Sequence, residues 1–261
     1  MAGPTTSRTI GDLTFQEVGT ALRASSILCL PMGSMEQHGP HLPLNTDTVL
    51  AEAFTRRIVE RWGETHDLWR LPSISIGLSR EHDWAAGTLS LSVGGMTALL
   101  RDLARELTRA LPARNLLIVN GHGGNRGILE ALGRELRGDF GLNLGALHLG
   151  AMISPLQDAA APEIHAGKDE TSVMLALAPD LVRRDRISEL KAPPDGAAVR
   201  ALILDPAMSW PWSSGDKRIA EIGVIGDARE ASAEHGNAIV ARVVEAAGRV
   251  LGQLLDNQPP R

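Results

Sequence analysis

The sequence predicts an α/β fold in which a mostly parallel sheet is covered by helices on both faces. Three observations carry this. Short apolar-rich runs at Ile27–Met32, 116–119 and 144–149 read as strands, and the one at 116–119 is continuous, as strands buried on both faces are. Segments with apolar residues at helical spacing alternate with these runs, the pattern of linked βαβ units. Polar loops rich in glycine and histidine follow the first two runs, at the strand ends where such sheets carry their chemistry.

Taken in order, Ile27–Met32 is the first strand, and residues 49–61 form a helix with Leu50, Phe54 and Ile58 along one stripe. Residues 74–76 read as a second short strand and 77–87 as a polar loop. The clearest amphipathic helix spans 96–111, with apolar residues at 96, 99, 100, 103, 107 and 111. The strand at 116–119 leads through Gly121-His122-Gly123-Gly124-Asn125 into a helix at 126–136, and another strand follows at 144–149. Residues 192–216, with Pro193, Pro194, Pro206 and Pro211, are the least regular stretch, and 228–255 close the chain as one long helix. There is no internal repeat or low-complexity tract.

A chain of 261 residues with 43% apolar composition fits one domain spanning residues 1–261. Three Phe and no Tyr leave the core to Leu, Ile, Val and Ala. A net charge of -5 argues against nucleic acid or an acidic membrane as partner. Cys29, the only cysteine, rules out a disulfide framework or a cysteine zinc ribbon, and its apolar neighbours predict a buried, inert thiol. Residues 1–8 lack the apolar core of a signal peptide, and no stretch has the length of a membrane span, so a soluble cytoplasmic protein is expected.

The organising stretch is residues 33–48, GSMEQHGPHLPLNTDT. In extended backbone Glu36 and His38 point to the same side, the way chelating pairs are built. Pro40 and Pro43 stiffen the loop that follows, and Asn45-Thr46-Asp47 reads as a helix start that brings Asp47 to the same place. These donors suit a divalent metal. The second motif, NGHGGN at 120–125, matches neither the dinucleotide fingerprint nor the P-loop, and His122 fits better as a fourth ligand. The third, HAGKDETS at 165–172, carries His165, and it carries Glu170 at the opening of a helix with Val173, Met174 and Leu177 on its apolar stripe. Alone, His165 would read as an ordinary loop histidine and Glu170 as a first-turn carboxylate. Together, Glu36, His38, Asp47, His122 and Glu170 suffice for two metals sharing a bridging carboxylate, with His165 left free for proton transfer.

The motifs ExHGxHLPxxTD, NGHGGN and HAGxxETS, in this order, resemble the creatininase (creatinine amidohydrolase) family, in its NGHGGN-containing branch. The resemblance runs from about Gly11 to the C-terminal helix and includes GVIGDAREASAEHG at 223–236. It implies a three-layer α/β/α sandwich, a small-molecule substrate, and a dinuclear site for zinc, with manganese or iron as alternatives. It also implies hydrolysis of an amide-type C–N bond and a homo-oligomer, a hexamer in this family. By the same resemblance Asp47 bridges the ions, Glu36 and His122 hold one, His38 and Glu170 hold the other, and His165 is the catalytic histidine.

Two departures bear on the substrate. Gly124 stands where creatininase proper has a metal-binding glutamate, so Glu170 has to complete the site. No tryptophan lies between Trp84 and Trp210, although tryptophans close over creatinine in that enzyme. The expected activity is hydrolysis of a cyclic amide or formamide other than creatinine by a hydroxide bridging two ions, with His165 protonating the departing nitrogen. The branch also contains a peptidase that trims a small precursor peptide, and a non-catalytic metal- or nucleotide-binding regulator is the rival class. Glu81, His82 and Trp84 are candidates to line the pocket, Trp84 alternatively packing against the core. Lys168 either binds an anionic substrate group or is a plain surface lysine.

Overall fold

The computed structural model describes residues 7–155, 162–193 and 196–257; residues 1–6 and Pro194 lie outside them. Four parallel strands, β1 (Ile27–Met32), β2 (Leu68–Arg70), β3 (Asn115–Asn120) and β4 (Asn143–His148), form a sheet in the order β2-β1-β3-β4. The helices are α1 (Phe15–Ala21), α2 (Thr46–His66), α3 (Val93–Ala110), α4 (Arg126–Phe140), α5 (Leu149–Ile153), α6 (Lys168–Leu177), α7 (Arg184–Ile187), α8 (Gly196–Leu202) and α9 (Ala233–Asp256).

The period-two rule of a strand sorts the core into two layers. Ile27 and Cys29 of β1, with Leu117 and Val119 of β3, face a cluster built with α2, α6 and α9, including Phe54, Ile58, Met174 and Val243. Leu28, Leu30 and Met32, with Leu116 and Ile118, face Met96 and Leu100 of α3 and Leu129 and Leu132 of α4. Helices therefore cover both faces, the expected α/β/α sandwich. Each fully buried Leu, Ile or Phe contributes about 1.5–3 kcal/mol.

Local chemistry explains where elements start and stop. The capping box of Thr14 and Glu17 opens α1, which the apolar pattern did not announce. Ser92 accepts from Gly95 N–H at the start of α3, and Ser232 from His235 N–H at the start of α9. That last cap splits the single helix expected over 228–255 into a short turn, Ala228–Glu230, and α9. Helix α2 begins earlier and runs further than 49–61, ending where Asp67 adopts a left-handed conformation (φ 50°). Residues 74–76 are not a strand: Ile74 makes one isolated bridge to Met32, and the edge strand is the preceding Leu68–Arg70. Pro72 lacks an N–H and ends that ladder. Within 192–216 the chain forms α8.

The strand order places the site. From β1 the chain crosses to β2 on one side and later returns to β3 on the other, so the C-terminal ends of β1 and β3 flank the switch point where such sheets bind ligands. The register pairs Met32 with Asn120, and the loops carrying the first two motifs leave side by side.

Candidate active site

Two glycines let the N-terminus of α2 press against both strand ends. A Cβ on Gly121 would lie 2.3 Å from the Asp47 carbonyl oxygen, and one on Gly33 would lie 2.4 Å from Thr48 N. Gly121 N–H donates to Met32 O at 2.8 Å. Asp47, in the first turn of α2, is thus held beneath both loops with its carboxylate favoured by the helix dipole. Asn45 occupies the N-cap position without a side-chain cap bond.

Three histidines share one arrangement. His38 donates Nδ1–H to Glu36 O at 3.1 Å and turns Nε2 toward Asp47 Oδ1 at 3.2 Å and Glu170 Oε1 at 3.9 Å. His122 donates Nε2–H to Leu78 O at 2.8 Å and turns Nδ1 toward Asp47 Oδ2 at 3.2 Å and Glu36 Oε1 at 3.3 Å. His165 donates Nε2–H to Gln37 O at 2.7 Å and turns Nδ1 toward Glu36 Oε1 at 3.7 Å. A carbonyl oxygen only accepts, so each contact fixes which nitrogen donates outward and leaves the inward nitrogen to offer its lone pair to a cation once it carries no proton. Metal-binding imidazoles are oriented this way.

The carboxylates complete the case. Glu36, fully buried, has no hydrogen-bond partner on either oxygen, nor has Asp47 Oδ2. An uncompensated buried charge costs several kcal/mol, on the order of 3–5. Glu170 is fixed by Ala166 N–H donating to its Oε2 at 2.7 Å, with Ala166 itself in a left-handed conformation (φ 56°). His38, Asp47 and Glu170 form one group of donors within 4.8 Å of one another; Glu36, His38 and His165 form a second, and Glu36, Glu81 and His122 a third. Orphaned buried oxygens facing imidazole lone pairs fit divalent cations.

The electrostatics agree. Burial opposes charge on His38, but Asp47, Glu170 and Glu36 outweigh it and hold the imidazole up at about 10. His122 is likewise raised well above the usual range, Glu36 and Asp47 overcoming its burial. The field that favours imidazolium here favours a cation. Burial lifts Glu170 to about 7, against the pull of His38. His165 lies well below the usual histidine range, because of burial and then of neighbouring His38 and His82, and rests neutral.

Behind the donors lies a network the sequence did not announce. Gly39 N–H donates to Gln37 Oε1 at 3.0 Å, which fixes the amide so that Nε2 donates to Gly223 O at 3.1 Å and His82 Nδ1 at 2.9 Å. His82 then points Nε2–H at Glu36 Oε1, 3.4 Å away, and stacks on His165 with ring centroids 4.2 Å apart. Ser214 accepts from Trp84 Nε1–H at 2.9 Å. Residues 82 and 214 carry no motif signal for this, since their partners are remote in sequence.

The predicted pocket residues divide. His82 and Glu81 line a cleft of about 580 Å³ over Glu36, Asp47, His122 and His165, roofed by Trp210 and Trp212. Trp84, half exposed, packs over Gly215, where a Cβ would meet its ring at 3.1 Å. Lys168 is not brought into the cleft; its Nζ pairs with Glu230 at 3.3 Å.

The chain matches the family described as creatininase, creatinine amidohydrolase, over residues 11–251. It is 36% identical over 223 residues to the mycofactocin precursor peptide peptidase of Mycobacterium ulcerans, covering 84% of this chain and 81% of that protein. To the creatinine amidohydrolase of Pseudomonas putida it is 31% identical over 258 residues, covering 90% and 93%. A solved creatininase in its manganese form superposes with a TM-score of 0.75 at 29% identity, covering 98% of this chain and 100% of that one.

Proposed function

Because the chain belongs to the creatininase family of hydrolases, we propose that it cleaves an amide C–N bond at a site for two divalent ions, with a short linear peptide as substrate. The observation that carries the two-ion reading is Asp47, whose two oxygens reach opposite ways, 3.2 Å from the inward nitrogen of His38 and 3.2 Å from that of His122. On this reading Glu36 and His122 hold one ion, His38 and Glu170 hold the other, and Asp47 serves both. The mixed nitrogen and oxygen donors suit zinc, and manganese or iron by the same count.

When bound, the ions supply a water ionised near neutral pH, at about 7, and polarise the substrate carbonyl. The chain supplies the rest. His165 Nδ1, neutral and facing the cleft, accepts a proton released on attack and hands it to the departing nitrogen, a poor leaving group unless protonated. Gln37 O holds the imidazole in the required tautomer, and the His82 ring stacks against it. Trp210 and Trp212 roof the cleft and limit water.

Two observations favour a peptide over a ring amide. The identity to the peptidase, 36%, exceeds that to the creatinine amidohydrolase, 31%. The cleft of about 580 Å³ continues beside a cavity of about 390 Å³ lined by Ile153, Ile203, Leu204 and Trp212, room for more than one compact ring. Assay of the metal-loaded protein on short peptides, cyclic amides including creatinine, and formamides tests this. Cleavage of peptides is expected; turnover of ring amides alone would reverse the choice, and two bound ions with no amide cleaved would favour a non-catalytic regulator.

A cytoplasmic homo-oligomer of one hydrolase domain over residues 1–261 belongs to the same reading. It is supported by the match over 11–251 and by the absence, among the described residues, of any helix long and apolar enough to cross a membrane. Half-exposed Trp210 and Met208 are the surface an oligomer would use. Light scattering that reports a monomer at micromolar concentration would dispose of the oligomer.

A further inference from the structure

A Cβ on residue 124 would stand 2.2 Å from Leu78 O, 2.4 Å from His122 Nε2 and 2.6 Å from Glu81 Oε1. Glycine is required there by close approach, first of the Leu78 carbonyl and the His122 ring and then of the Glu81 carboxylate. The base of that side chain is pinned: Ser214 N–H donates to Glu81 O at 2.9 Å and Ser213 Oγ–H at 3.3 Å. The carboxylate itself, 17% exposed, is not held by the histidine beside it. His122 Nε2–H goes to Leu78 O at 2.8 Å, and Glu81 Oε1 stands off at 3.5 Å. Among the described residues neither Glu81 nor Glu36 forms an ion pair with a lysine or arginine. Yet their oxygens and a His122 nitrogen lie within 4.8 Å of one another, and both Glu36 oxygens are buried without a partner. Two carboxylates that converge on one covered imidazole, with no lysine or arginine beside them, form a negative site that favours a positive ion between them.

We propose that Glu81 is a further metal ligand, completing with Glu36, Asp47 and His122 the coordination of one ion. The carboxylate thus arrives from the turn Arg80–His82 and not from the NGHGGN loop. Three carboxylates and one imidazole form a donor set suited to zinc or manganese. This inference rests on the two-ion reading above.

The test is calorimetric titration of zinc into chelator-stripped wild-type and Glu81→Gln protein, repeated with cobalt so that the absorption spectrum reports each coordination sphere. In Glu81→Gln one ion should bind more than about 100-fold more weakly, beyond the roughly 10–100-fold typical of groups that only orient a ligand. The other ion should be little affected, one cobalt band should shift, and the metal-free melting temperature should match wild type. A smaller loss, or equal weakening of both ions, overturns the assignment of Glu81. Wild-type protein that takes up fewer than two ions overturns the two-ion reading itself.

Discussion

The backbone carbonyl of Gln37 receives the Nε2–H of His165 at 2.7 Å, and this one contact decides which nitrogen of the histidine faces the cleft. Nδ1, 3.7 Å from Glu36 Oε1, is left open in an imidazole that burial keeps neutral. His165→Ala should therefore keep its bound ions and lose about 10²–10⁴-fold in turnover, the scale of general acid–base catalysis. An activated anilide or ester, whose leaving group needs no proton, should partly restore it and should not restore His122→Ala. Loss of metal from His165→Ala, or equal restoration of both variants, would make His165 a ligand and not the proton carrier.

On the two-ion reading both ions depend on Asp47. Asp47→Ala should remove both, whereas Glu170→Gln should weaken chiefly the ion held with His38, because the histidine that Glu170 faces is His38, 3.9 Å from its Nε2. Elemental analysis of the two variants separates these outcomes. Full occupancy in Asp47→Ala would contradict the assignment.

Metal uptake should expel protons. Carboxylate neighbours outweigh burial to raise His38 to about 10, and burial raises Glu170 to about 7. A group whose pKa is raised holds its proton below that value and releases it above, so near neutral pH an entering cation displaces these protons. Affinity then rises as the solution is made more alkaline and falls in acid. Calorimetry in two buffers of different protonation enthalpy should return a net release of more than one proton per chain. No release would mean that these groups are not ligands.

Burial pushes the Cys29 thiol up to about 12. It sits at the middle of β1 beneath α2 and should ignore thiol reagents at about pH 8 until the protein unfolds. Labelling of the native protein within minutes, read by mass spectrometry, would show that β1 is not packed this way.

What the sequence disclosed was what is local. Glu36, His38 and Asp47 lie within twelve positions, and strand alternation, two prolines and a helix start were enough to bring them together. The parallel sheet was legible because β1 and the middle of β3 are apolar runs and β4 is a short apolar-rich segment after a helix. Strand β2 was not, since three residues ending before Pro72 carry no periodicity. The tie from Gln37 to Ser214 spans 177 positions, and nothing in either neighbourhood marks it. Trp210 and Trp212, close together in SWPWSS, suit a contact surface or a pocket lid, and the course of residues 203–216 decides that they line this cleft. Lys168, two residues from Glu170 in sequence, pairs with Glu230 because α6 turns it outward.

The central claim is that the buried carboxylates and inward imidazole lone pairs exist to hold two cations. Elemental analysis of protein expressed with ample zinc and manganese, expressed per chain, tests it most directly. Two divalent ions per chain are expected, since Glu36, His38, Asp47, His122 and Glu170 exceed the about four ligands of a tetrahedral site. One ion, or none, would contradict it.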